Sequence, residues 1–330
     1  MVETVNETLR REWYSRADVQ ANIIPCIRGR EVAFMLPNSL RGETGNYPVR
    51  CIKAHCSSYL LNNMKAFDFW NRKYNLYHSI YLFHDMPMFS YLPQRRREQQ
   101  QDFFRNYDNY VEGVDFVMDF DGDKNLPIDE RVQAARNATI QVCKILDEYT
   151  VPYCVIFSGS KGFHVEVRDF PPIRDWKKRI KDFSTIARLL IFTANGETSL
   201  LAEDERTLRD LRERLIVFSF DNRDQPLKIR LDSLDYETLT YLYLKYQHNF
   251  DSTIYNATRI WKVPYSYDVS TDMIAYPLSA EELLNFDIRN YTVENMLKKN
   301  HWNAGLKKRR GTIQNFWNLA ANLGVTSCQE

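Results

Sequence analysis

The chain is 330 residues long, with 44% hydrophobic, 26% charged and 14% aromatic residues and a formal net charge of +1. That is the composition of a soluble globular protein long enough to bury a sizeable core. It excludes a polycation, so any nucleic-acid surface has to be a local patch.

In chain order, helical spacing runs from Glu3 to Ala21, followed by a short strand at Glu31–Met35 and a polar loop from Pro37 to Tyr47. A helix is predicted over Asn62–Tyr74 and a strand over Leu76–Phe83. Val114–Asp121 has a clear strand pattern, and Ile128–Tyr149 that of an amphipathic helix. Tyr153–Phe157 and Phe163–Val167 read as a hairpin around Ser158–Gly162. Charged helical sequence from Trp176 to Leu215 suggests a helical subdomain at about 174–216. Beyond it come strands at Leu227–Leu231, Arg259–Val263 and Met273–Tyr276, and helices at Tyr236–Tyr246, Ser279–Asn285 and Thr292–Lys299. Strands and helices intersperse without a strict βαβ rhythm, so the expected class is α+β, in one domain spanning 1–330.

Three basic runs offer candidate patches: Arg95–Arg97, Lys177–Arg179 and Lys307–Arg310. Each also reads as a solvated helix face or tail. The six cysteines include no C-x-x-C. Cys51, His55 and Cys56 are poorly spaced for a zinc knuckle, and Cys143 and Cys154 sit in apolar runs as buried thiols, so no structural zinc site is evident. With no signal peptide and no long apolar span, the expected setting is intracellular, cytoplasmic or nuclear, with no membrane role.

The most informative segment is Val114–Asp121. Side chains alternate along a strand, so Asp119 and Asp121 share one face while Phe116, Met118 and Phe120 take the other. Two carboxylates placed together repel unless a cation lies between them, and hard oxygen ligands suit Mg²⁺ or Mn²⁺, of which such a pair can hold two ions. A calcium loop would use Asp119, Asp121, Asp123 and Glu130, but Lys124 stands at its glycine position and Pro127 falls inside it. The D-x-D-G sequence after an apolar strand also resembles haloacid-dehalogenase-type phosphatases, with Asp119 as nucleophile and Asp121 as acid/base. More than a hundred residues precede it here, whereas such a phosphatase begins near its D-x-D.

Downstream, Ser158-Gly159-Ser160-Lys161-Gly162-Phe163-His164 supplies glycines that expose backbone N–H groups, a lysine charge, a hydroxyl and an imidazole. Together these suit a triphosphate.

In combination the sequence resembles the archaeo-eukaryotic primase superfamily, specifically its small catalytic primase subunit and primase-polymerases. The matching blocks run in order. Arg30–Phe34 is similar to an R-E-hydrophobic-x-F strand, with Arg50 where the family places an active-site arginine. Tyr77-His78-Ser79 is similar to Y-x-S, Gly113–Asp121 to the D-x-D motif, and Ser158–His164 to S-G-x-[RK]-G-x-H. Phe250-Asp251 and Arg259–Ser266 resemble the hydrophobic-Asp motif followed by R/H-x-x-[RK]-x-P-x-S, and the similarity continues to Asp287.

The resemblance implies an α+β primase catalytic core, an RRM-like sheet with a flanking α/β unit. It also implies template-directed nucleotidyl transfer from nucleoside triphosphates on single-stranded DNA with two Mg²⁺ or Mn²⁺ ions and release of pyrophosphate. Asp119, Asp121 and Asp251 would hold the ions. Arg50, Ser158, Ser160, Lys161, Gly162, His164, Arg259 and Lys262 would bind the nucleotide. A large primase subunit, a helicase or a C-terminal domain outside this chain are the partners it implies. The alternatives are the phosphatase, or a primase-like module that grips nucleic acid without polymerising. Two departures stand out: the zinc module is missing, and Tyr267-Asp268 follows Ser266 where the family tends to have a histidine. Phosphate binding is then expected to lean on Lys161, His164 and Lys262. Asp232 and Asp235 also follow apolar residues, but Asp251, eight residues before Arg259, has the spacing of the third carboxylate.

Overall fold

A computed structural model describes residues 5–36, 49–87, 89, 93–123, 126–215, 234–252, 255, 259–299 and 306–325. The polar loop at Pro37–Tyr47, the strand expected at Leu227–Leu231, and Asp232 lie outside the described residues.

Two helices open the chain, α1 (Val5–Ser15) and α2 (Ala17–Ile27), where sequence periodicity suggested one. They lead to β1 (Val32–Met35), β2 (Val49–Ile52), α3 (Ser57–Ala66), β3 (Asn75–Ser79) and β4 (Tyr81–Phe83). The helix expected over Asn62–Tyr74 thus begins five residues earlier and stops at Ala66. Asp68 and Lys73 both adopt φ of +53°, a left-handed conformation that no helix continues through.

Next come α4 (Pro93–Arg105), β5 (Val111–Val114), β6 (Phe116–Asp121), α5 (Ile128–Glu148), β7 (Tyr153–Phe157) and β8 (Gly162–Val167). The helical stretch resolves into α6 (Trp176–Ala194), a short 3₁₀ turn and α7 (Glu205–Leu215). The remainder is α8 (Tyr236–Gln247), β9 (Ile260–Lys262), β10 (Tyr267–Asp268), β11 (Met273–Ile274), β12 (Tyr276–Leu278), α9 (Ala280–Leu284), α10 (Val293–Leu297) and α11 (Ile313–Asn322).

The architecture is α+β. One four-stranded antiparallel sheet has the order β2-β1-β3-β9, a second has β12-β7-β8-β6, and β4-β5 and β10-β11 form small ribbons. In the second sheet β6 and β7 both pair antiparallel to β8, so they run parallel to each other with α5 as the crossover. α5 buries Val132, Ala135, Thr139, Val142, Cys143 and Leu146, the three- and four-residue stripe of a helix lying on a sheet. At the free edge of β6, Phe120 makes an antiparallel bridge to Phe250, which the chain reaches after α8. The order β6-α5-β7-β8-α8-Phe250 is that of a split βαβ, RRM-like unit.

Buried charge and ring contacts hold the two large sheets together. Arg30, just before β1, pairs with Asp115 just before β6, and Arg168, just after β8, bonds Glu166 at 2.6 Å. Arg168 also donates to the Cys26 carbonyl oxygen at the end of α2 at 3.4 Å. The His164 ring on β8 meets Trp261 on β9 edge-on, with centroids 4.9 Å apart. α6 is part of the same core, with Phe183 packed against Phe116.

Candidate active site

The acidic strand ends beside the point where its sheet meets β9 through His164 and Trp261. β6 pairs with β8 in the register Asp119↔His164 and Asp121↔Gly162. Because facing residues of antiparallel strands project to the same side, Asp119, Asp121 and His164 share a face. Phe116 on the opposite face packs against Phe183 and Phe316. On the other edge of β6 the Asp121 amide donates to the Asn249 carbonyl at 2.8 Å, and the Asp251 amide donates to the Asp119 carbonyl at 3.0 Å. Asn249 sits at φ +54°, the turn that brings this segment alongside. Backbone pairing therefore places Asp251 beside the D-x-D pair.

Burial is the main reason that the Asp119 carboxyl is held well above the usual carboxylate range, and the charges of Asp121 and Asp251 push the same way. Three cationic or cation-forming groups interleave with the three acids. Lys161 pairs with Asp121, and Arg259 Nη2 lies 2.9 Å from Asp251 Oδ2. His164 Nε2 is 3.5 Å from Asp119 Oδ1. Burial lowers the His164 pKa, while the charges of Glu166 and Asp121 oppose the shift without cancelling it. The contact with Asp119 is thus that of a mainly neutral imidazole.

The glycine hairpin is shaped by close approach. The Ser158 amide donates to the Gly162 carbonyl at 3.0 Å, and the Gly162 amide donates back to Ser158 Oγ at 3.3 Å. The Ser158 hydroxyl therefore closes the turn. A Cβ on Gly162 would stand 2.0 Å from the Phe120 carbonyl oxygen and 2.6 Å from Asp121 Oδ1. Only glycine lets the turn lie directly on the acidic strand. Gly159 has φ +75°, and Thr271 Oγ1 donates to its carbonyl at 2.5 Å. Ser160 and Lys161 remain partly exposed at the tip.

Two residues expected at the nucleotide are placed elsewhere. Lys262 lies one position after Trp261 on β9, so it projects to the opposite side from the ring that meets His164. Its ammonium is buried against Asp268, with the Tyr77 ring 4.9 Å away. Burial disfavours that charge, but Asp268 outweighs it and holds the Lys262 pKa above the usual lysine range. The aspartate that departs from the family pattern thus neutralises the lysine expected to compensate for it. Arg50 is on β2, at the far edge of its sheet from β9, roughly 14 Å away by strand spacing. Its guanidinium grips Glu31 through Nε and Nη2, both at 2.7 Å. Asp235 caps α8 by accepting from the Thr238 amide at 2.7 Å, which gives it a structural role.

The basic runs are partly consumed inside the fold. Arg96 is buried and donates to the Arg50 carbonyl, Arg179 is buried against Phe170 and Trp317, and Lys307 pairs with Glu282 at 2.6 Å. Trp261 lies within the Arg259–Ser266 block, and no role for it follows from the sequence pattern. The signal was its phase: on a three-residue strand the residue beside the expected ligand faces the other sheet.

Among the described residues, no three His, Cys, Asp or Glu side chains converge on a point that could hold a metal ion. The donor chemistry of Asp119, Asp121 and Asp251 nevertheless suits a hard divalent cation: three carboxylates from adjoining backbone positions, one destabilised by the other two. To ligate an ion, Asp121 and Asp251 have to turn away from Lys161 and Arg259.

No family model and no curated protein sequence matches the chain. Among solved structures, the polymerase domain of Mycobacterium tuberculosis Ligase D in complex with DNA is similar to it, with 12% identity and a TM-score of 0.46. The match covers 88% of this chain and 87% of that one.

Proposed function

We propose that the chain is a nucleotidyltransferase of the primase-polymerase type, extending a strand on a single-stranded DNA template from nucleoside triphosphates. The observation that carries this reading is the interleaving of acids and bases at the end of β6, where Asp121 faces Lys161, Asp251 faces Arg259 and Asp119 faces the His164 imidazole. A site that binds only an anion has no use for three carboxylates, and a site that binds only a cation has none for a lysine and an arginine beside them. A metal–triphosphate complex carries both signs and matches both sets.

Asp119, Asp121 and Asp251 would hold Mg²⁺ or Mn²⁺, which when bound neutralises charge on the reacting phosphate and the departing pyrophosphate. Lys161 and Arg259 are the groups poised to exchange carboxylate partners for phosphate oxygens. His164 stands between Asp119 and the Trp261 ring with Nδ1 lacking a hydrogen-bond partner inside the protein, a position from which it can contact the nucleotide. The backbone of Ser158–Gly162 fixes where Lys161 is presented. Template-directed attack by a 3′-hydroxyl at the α-phosphate then depends on positioning and charge neutralisation.

The test is incubation of the full chain with single-stranded DNA, a labelled nucleotide and Mn²⁺. Elongated product with stoichiometric pyrophosphate supports the reading. Nucleotide and DNA binding without incorporation would instead establish the non-catalytic module.

A further inference from the structure

Between α6 and α8 runs a groove of about 610 Å³, with Lys181, Ser184 and Arg188 on one wall and Tyr241 on the other. Ser252 and Tyr255 from the segment after Asp251 complete it. Ser252 directly follows Asp251, and the Tyr255 hydroxyl donates to the Val117 carbonyl of β6 at 2.7 Å. The groove therefore reaches the strand that carries the carboxylates.

Its lining has a definite chemistry. Lys181 and Arg188 lie seven residues apart on α6, two turns or about 10.5 Å along one face. Across from them, the Tyr241 hydroxyl accepts from Lys245 Nζ at 2.9 Å, and that ammonium lies 5.3 Å from the Tyr241 ring centroid. The bond to Tyr241 holds the Lys245 pKa above the usual lysine range, and the charge of Asp251 adds to it. Lys245 thus adds a cation beside Tyr241 on α8. Spaced cations with a ring on the facing wall suit a single-stranded nucleic acid, whose phosphates take the charges and whose bases take the ring. Glu237, 4.0 Å from Arg188, is the acid in the wall and opposes such a ligand.

We propose that this groove seats a single nucleic-acid strand on its way to the carboxylates, with phosphates along Lys181 and Arg188 and a base against Tyr241. The proposal rests on the polymerase reading for its purpose, but not for its test.

Binding of a fluorescein-labelled oligothymidylate of about 20 residues to the full chain is followed by anisotropy in EDTA, so that no turnover occurs. Lys181→Ala and Arg188→Ala are each expected to weaken binding several-fold and to lower the salt slope by about 0.7. Tyr241→Ala is expected to weaken binding about tenfold and leave that slope unchanged. Glu237→Gln is expected to tighten binding, a gain that partial unfolding cannot produce. Wild-type affinity and slope in the lysine and arginine variants would overturn the proposal. So would displacement of the oligonucleotide by polyglutamate at the concentration of unlabelled strand, which would make the groove a seat for acidic peptide. If the four variants behave as expected but no nucleotide is incorporated with Mn²⁺, the groove stands and the polymerase reading falls. Incorporation with an unchanged KM for primed strand in the groove variants would leave polymerisation standing without the groove.

Discussion

The Asp251 amide donates to the Asp119 carbonyl at 3.0 Å, which makes the spacing of these two carboxylates a property of the backbone. Their side chains can exchange partners while their Cα positions stay fixed. That is the arrangement expected where charge has to be redistributed without moving a strand.

Asp119→Asn is expected to abolish nucleotide incorporation and raise the melting temperature. Burial and the charges of Asp121 and Asp251 all disfavour the Asp119 anion, so removing it relieves the folded state. A gain of about 1 kcal/mol is about 1.5 °C in a chain of this size. Calorimetry and a primer-extension assay on the same sample check both halves. A variant that is less stable yet still active contradicts the assignment.

Lys161→Ala is expected to weaken nucleotide binding by roughly tenfold or more through loss of one charge-assisted contact, about 1.5–3 kcal/mol. Strand affinity should stay near wild type, because Lys161 is on the hairpin and not in the groove between α6 and α8. Competition binding with a non-hydrolysable triphosphate measures the first effect, and equal nucleotide affinity in wild type and variant speaks against a phosphate-binding role for the hairpin.

Gly162→Ala is expected to cost about 3 kcal/mol or more, since its Cβ would overlap the Phe120 carbonyl and press on the Asp121 carboxylate. Gly196→Ala is the contrasting case: Gly196 has φ of +71°, but nothing lies within 4 Å of its Cβ position. Strain alone should then cost about 1 kcal/mol. Similar urea midpoints for the two variants would show that the hairpin does not lie on β6 as described.

Asp268→Asn is expected to destabilise the fold by about 3–5 kcal/mol, because it strands the buried Lys262 ammonium. Replacing both, as Lys262→Met with Asp268→Leu, should restore most of the loss. The pH dependence follows from the directions of the two shifts. The Asp268 pKa is depressed in the fold, as Lys262 and the Ser270 hydrogen bonds outweigh burial, so its stabilisation is complete above about pH 4 and is lost as pH falls below that. The Lys262 pKa is raised, so its part is complete below about pH 10.4 and is lost as pH rises further. Acid and alkaline melts of the double variant should be flatter at both ends.

How far the sequence discloses this site depends on which forces set each position. That Asp119 and Asp121 share a face was legible because strand alternation is a local rule and β6 is six residues long. The hairpin was legible because glycine has few reasons to recur at that spacing. Asp251 was placed by its distance from Arg259, and the structure supplies what the spacing could not, a backbone bond to Asp119. Lys262 and Arg50 were not legible, since the face that a three-residue strand presents is decided by its neighbours in the sheet. The α4 sequence PQRRREQQQDFFR hid a helix, because only scattered residues such as Arg96 and Phe103 turn inward and the apolar stripe is too thin to see. The end of α3 was missed because Asp68 and Lys73 take up conformations that their residue types do not announce.

The bond from Tyr255 to Val117 joins residues 138 positions apart, and the Phe120–Phe250 bridge closes nearly as long a loop. Bringing such distant segments together costs about 4 kcal/mol of chain entropy before any contact forms, so these pairings should come late in folding. A nascent chain can complete α5 and the β7–β8 hairpin while Asp251 is still unsynthesised. The chemistry would then switch on only when the segment carrying Asp251 docks, and a chain truncated before Phe250 would lack that carboxylate together with β9 and β12 and remain inert.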